Sequence, residues 1–135
     1  VLFEEIFQTK HERIGDSLLM EKRIVGWDHA KIGAYYLWNH HISGEVVEAI
    51  HWHNEPARAE RHQHLASAIQ VADFITCKIG VMGLDRYSRP IEQRRSELEG
   101  WKILFGNKNE QEMEIIEENL DSTIERVSQT LHGII

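Results

Sequence analysis

The chain has 135 residues, is 41% hydrophobic and 27% charged, and holds only two prolines, which suits one folded domain and excludes a disordered or fibrous chain. Fifteen Lys and Arg against 22 Asp and Glu give a formal charge of −7, the wrong sign for a general grip on nucleic acid. The lone cysteine, Cys77, excludes an internal disulfide and reads as a buried thiol, and no run approaches the ~20 apolar residues of a membrane span.

The apolar residues recur at helical spacing, so an all-α bundle of about six to seven helices is expected. Leu2, Phe3, Ile6 and Phe7 open the chain in an amphipathic pattern, with Glu4 and Glu5 where an export signal would be apolar. That abrupt start suggests a chain that begins inside a larger protein. Asp16 and Ser17 offer a cap for a second helix with Leu18, Leu19, Ile24 and Val25, which Gly26 stops. Asp28 is the next N-cap, for a helix reaching about Asn39 in which Gly33 lets a neighbour approach closely. Ser43 starts a fourth helix with Val46, Val47, Ala49 and Ile50, ending near Asn54-Glu55-Pro56 because proline disfavours helical geometry just before it.

Residues 56–64 are polar and turn-like, after which Leu65, Ala66, Ile69, Ala72, Ile75 and Ile79 form the most regular stripe, marking a central helix. Gly80, Gly83 and Ser88-Arg89-Pro90 interrupt the pattern, so residues 1–88 read as core helices and 89–135 as a C-terminal segment of the same domain. Gly80 and Gly83 are a helix stop rather than a phosphate loop, since no strand precedes them and no Gly-Lys-Ser/Thr follows. Arg94 to Phe105 reads as one helix stopped by Gly106-Asn107. Asn109 then caps a long last helix to about Leu131, striped by Met113, Ile116, Leu120, Ile124, Val127 and Leu131. Arg86, Arg89, Arg94 and Arg95 suit surface ion pairs.

Eight of the nine histidines lie between His11 and His64. None has the three- or four-residue spacing that puts two ligands on one helical face: His51 and His53 are two apart, as are His62 and His64, so no self-contained zinc motif is present. His11, His40, His41, His62 and His64 read as solvated or helix-end residues. His29 in the first turn behind Asp28, His53 at the end of the following helix, and Asp73 in the central helix form a candidate polar pocket where three helices converge. A carboxylate between Ala72 and Phe74 costs stability unless donors, a cation or a metal meet it. A hydrogen-bonded triad that sets helix register explains these residues without a ligand, and a metal site is the competing account. Ser17, Ser43, Ser67 and Cys77 lack the spacing of a nucleophile with its base.

The run Glu21-Lys22-Arg23-Ile24-Val25-Gly26-Trp27-Asp28-His29-Ala30-Lys31-Ile32-Gly33-Ala34 resembles a segment of HDOD domains. Glu48 to Pro56 is similar to that family's stretch ending in paired histidines, an acid and proline, and Ile69 to Ile75 is similar to its Ala-Asp helix. Order and spacing agree across about residues 3–83, and the tail past Ile91 matches loosely. The resemblance implies an HD-domain-like fold related to the metal-dependent HD phosphohydrolases, with His29, His53 and Asp73 at the positions of later ligands. Asn54 stands where a second histidine is usual, and no His-Asp dipeptide occurs. The resemblance places the early half of the family's domain, with that pair, upstream of Val1.

The expectation is therefore a non-catalytic regulatory or interaction module of the HDOD type in bacterial signal transduction, cytoplasmic, with no catalytic residue and no cofactor. Its partner is a signalling protein or an attached sensor or receiver domain, without nucleic acid or membrane. The alternative is a divalent-metal phosphohydrolase completed by upstream sequence, and a homodimerisation element is a third class.

Overall fold

A computed structural model describes residues 19, 21–79 and 93–132. Among them the chain is helical without any strand: α1 (His29–Asn39), α2 (Gly44–Trp52), α3 (Gln63–Ile79), α4 (Glu99–Phe105) and α5 (Glu110–His132), with a helical turn over 21–24 and 3₁₀ turns at Pro56–Arg58 and Arg95–Glu97. The all-α expectation holds. The expected first helix, the Gly80–Gly83 stop, Arg86, Arg89 and His11 lie outside the described residues.

Local chemistry explains each boundary. Gly26 takes φ +82°, the left-handed conformation that ends the preceding turn. Asp28 then caps α1, its Oδ1 accepting from the Lys31 amide at 2.9 Å and its other oxygen facing Lys22 Nζ at 3.4 Å. At the far end of α1 the Ile42 amide donates to the Leu37 carbonyl and the His41 amide to the Trp38 carbonyl, both at 3.1 Å, with His41 at φ 57°. This is the glycine-type helix stop built with a histidine. Ser43 precedes α2 but makes no side-chain cap bond. Asn109 Oδ1 accepts from the Glu112 amide at 2.9 Å while Glu112 Oε2 accepts from the Asn109 amide at 3.1 Å, a reciprocal cap for α5.

Three expectations need correction. Residues 94–105 are not one helix: Leu98, extended at φ −64°, ψ 139° and buried, separates the 3₁₀ turn from α4, because it leaves the helical path to enter the core. The buried face of α3 follows the apolar stripe read from sequence only in part: Ala66 is buried and Ile69 and Ile75 pack against the two core clusters. Leu65 and Ala72 are exposed, and Ala66, Ser67, Gln70, Val71 and Phe74 face inward. The reason is that α4 and the end of α2 supply hydrogen bonds and close backbone contact to the polar members of that face. Cys77 is half-buried rather than buried.

Packing runs α1 on α2, α2 on α3 and α3 on α4. One core cluster gathers Val71, Phe74, Leu98 and Trp101, against which Met113, Ile116 and Leu120 of α5 pack. The other is built of small residues, Ala49, Ala59 and Ala66, flanked by Trp52 and Ile69. Small side chains let α1, α2 and α3 approach closely, so polar groups at their ends come within hydrogen-bond reach. Gly33 serves this approach: a Cβ there would lie 3.3 Å from Ile50 Cγ2.

Candidate functional site

The site lies where the turn before α1, the start of α1 and the end of α2 meet. Glu21 folds back over the α1 N-terminus: its Oε2 accepts from the His29 amide at 2.9 Å, and its two oxygens sit 3.0 and 2.9 Å from His29 Nδ1. An anion there also faces the positive end of the helix dipole. His29 presents its other nitrogen, Nε2, to His53 Nε2 at 3.2 Å, and the rings are tilted with centroids 5.2 Å apart. His53 closes α2 and is buried, with Nδ1 2.7 Å from the Ile50 carbonyl oxygen.

These partners dictate the protons. A carbonyl only accepts, so His53 Nδ1 carries a hydrogen and its Nε2 offers a lone pair. An ionised Glu21 only accepts, so His29 Nδ1 carries a hydrogen as well. A hydrogen bond between the two Nε2 atoms then needs one further proton on the pair, and the Glu21 carboxylate favours placing it on His29 as an imidazolium. The electrostatics agree. The Glu21 hydrogen bond raises the His29 pKa above its ordinary 6.5 against the pull of burial, helped by the charges of Glu21, Asp28 and Asp73. Burial pushes Glu21 up, but the side-chain and backbone hydrogen bonds from His29 outweigh it and leave Glu21 below its ordinary 4.5. Asp28 is likewise raised by burial and lowered further by the Lys31 amide and Lys22, ending below 3.8. The Asn54 amide nitrogen lies 3.4 Å from His29 Nε2.

Of the three predicted pocket residues, the structure brings His29 and His53 together. Asp73, half-buried on α3, favours the charged form of His29 through its own charge, and its Oδ1 is 4.0 Å from Cys77 Sγ. Among the described residues no three His, Cys, Asp or Glu side chains gather as a metal ion would need. The two Nε2 atoms do fit two positions of a tetrahedral shell, since nitrogen–metal distances of about 2.0–2.1 Å place neighbouring ligands roughly 3.3 Å apart. Of the histidines read as solvated or helix-end residues, His40 lies tilted against Tyr36 with ring centroids 4.2 Å apart, and His62 Nε2 lies 3.7 Å from Glu48 Oε2.

Sequence reading missed Glu21, Glu48 and Gln70 as structural acceptors and donors. Glu48 Oε1 accepts from the Glu60 and Arg61 amides at 2.7 and 3.0 Å, tying α2 to the approach to α3. Those amide bonds, led by the one from Arg61, hold its pKa below 4.5. Gln70 spans α3 to both neighbours: Nε2 donates to the Asn54 carbonyl at 3.1 Å, and Oε1 accepts from the Gly100 amide at 2.7 Å. A glutamine inside an apolar stripe was the available signal. No family model, curated protein or solved structure matches the chain.

Proposed function

We infer that this chain works as a non-catalytic regulatory or interaction module of the HDOD type in bacterial cytoplasmic signalling, passing a signal by contact with a partner protein or attached domain. The observation that supports the reading is the use of the two imidazoles: both ring nitrogens of His29 are engaged by protein groups, Glu21 and His53, so the pair acts as a tie between helices. Its charge state follows chiefly from the Glu21 hydrogen bond. The order of the Asp-His-Ala, His-Asn-Glu-Pro and Ala-Asp segments, with Asn54 in place of a histidine, supports the same reading.

One observation favours a second reading, a divalent-metal phosphohydrolase. The Nε2 atoms converge at 3.2 Å, and each ring is oriented through Nδ1 by a carboxylate or carbonyl, the arrangement that holds metal-ligating histidines. Metal analysis and hydrolysis of a chromogenic phosphodiester decide between them, using the full-length protein and its Asp73→Asn variant. The module predicts no stoichiometric metal and no turnover in either protein. Bound metal and turnover, both lost in Asp73→Asn, would overturn it in favour of the enzyme.

A further inference from the structure

α1 is apolar on its outer side as well as its inner one. Ala30, Ala34 and Gly33 face inward, yet Ile32, Tyr35, Tyr36 and Trp38 lie open to solvent, Trp38 with 64% of its surface exposed. Exposed aromatic side chains gathered on one face of a helix mark a surface that a partner covers. The outward residues form one surface, because Ile32 is a turn away from both Tyr35 and Tyr36, and Trp38 a turn from Tyr35. Trp27 joins them edge-to-face on Tyr35 at 5.9 Å, and Tyr35 and Trp38 are 6.3 Å apart. A shallow groove of about 240 Å³ lined by Trp27, Lys31, Tyr35, Trp38, Val47 and His51 runs beside the rings.

We propose that this aromatic face is the surface through which two copies of the chain pair, α1 against α1 about a twofold axis. Area supports a second copy as the occupant. Four rings of roughly 150–250 Å² each, half or more exposed, offer about 400 Å² of apolar surface per copy. With Ile32 and the polar rim, two copies cover roughly 1,000 Å² in total, the lower bound for a specific interface. Charge points to the same face. The chain carries −7, but α1 has no acidic residue and one lysine, whereas α5 concentrates seven acidic residues against Arg126 and its histidine. Pairing through α5 would press seven carboxylates of one copy against seven of the other, whereas pairing through α1 brings together only Lys31 and the Glu21-paired His29 of each copy. Twofold symmetry also sets the Tyr35 and Trp38 rings of one copy against those of the other, where edge-to-face contact is favourable. This inference stands apart from the functional reading above.

Sedimentation equilibrium of the 135-residue chain from micromolar to near-millimolar concentration tests it. The expected result is a monomer–dimer equilibrium rising from 15.8 kDa towards twice that mass. Trp38→Ala is expected to weaken dimerisation by about thirtyfold or more, the effect of removing a central aromatic anchor. Tyr36→Ser should weaken it as well, and Ile115→Ser, an equally exposed site on α5, should leave it unchanged. Far-UV circular dichroism confirms that each variant keeps its helices. A mass of 15.8 kDa at every concentration overturns the proposal, and iodide quenching of tryptophan then tells whether the face is open or covered by other residues of the same chain. A dimer that survives Trp38→Ala, or that Ile115→Ser dissociates, overturns it too.

Discussion

Glu21 and His29 set the charge state of the site, and their shifts fix a pH window. His29 gains protonation on folding, so its contribution is fully present below its unfolded value of 6.5 and is lost as pH rises through the raised folded value. Glu21 is acidified, so its contribution is present above 4.5 and is lost as pH falls through the lowered folded value. Both act together between those two unfolded values. Glu21→Gln should therefore cost about 1–2 kcal/mol in that window, a range reduced for the half-exposed imidazole, and less on either side of it; urea unfolding across pH measures this. A second residue prediction concerns His41, whose φ of 57° occupies a position where glycine is unstrained. His41→Gly should stabilise by about 0.5–1 kcal/mol in thermal melts, since relief of left-handed strain exceeds the added chain entropy. His29 and His53 could be singled out in the sequence as polar residues at helix ends. Glu21 could not be, because its role depends on the chain reversing at Gly26.

At the level of elements, the α3–α4 junction is close enough to require a glycine. A Cβ on Gly100 would lie 2.8 Å from both Gln70 Oε1 and the Ser67 carbonyl oxygen, so α4 rests directly on the α3 backbone. Gly100→Ala should destabilise by about 2–3 kcal/mol, the cost of overpacking a site where backbone cannot give way. Ser67 lies beneath it, with its hydroxyl buried and unbonded. Ser67→Ala should be neutral or stabilising by up to about 1 kcal/mol in urea unfolding, and a loss of stability would mean that the hydroxyl is bonded. Helix positions were legible in the sequence because caps and periodicity are local. The split of residues 94–105 was not, since it depends on where Leu98 meets Phe74 and Trp101, residues brought together only by folding.

For the whole molecule, charge is uneven. α5 carries seven acidic residues against Arg126, while Arg95 offsets part of the excess by facing Asp121 at 2.6 Å and Glu117 at 3.8 Å and by lying over Trp101 at 5.4 Å. The Asp121 hydrogen bond holds the Arg95 pKa above its ordinary value, and Arg95 in turn holds Asp121 below 3.8. Raising salt about tenfold should raise the melting temperature by a few degrees, because screening the repulsion along α5 outweighs weakening the exposed ion pairs of Arg95. A melting temperature that falls with salt would place the balance with the Arg95 pairs. Apolar spacing made the all-helical class legible and composition the acidic balance. Neither said how Gln70 and Glu48 join successive helices, for such bonds leave no periodicity.

Gln70 joins the Asn54 carbonyl, one residue past His53, to the Gly100 amide at the head of α4. Its side chain is a rigid crossbar between the histidine pair and the Trp101 cluster: if the end of α2 swings away, Gln70 must release one partner, leaving a buried amide or carbonyl without a bond. Loosening the imidazole tie with His29→Ala should accordingly quicken hydrogen exchange at the Gly100 amide, although that amide lies in a different helix from the substitution.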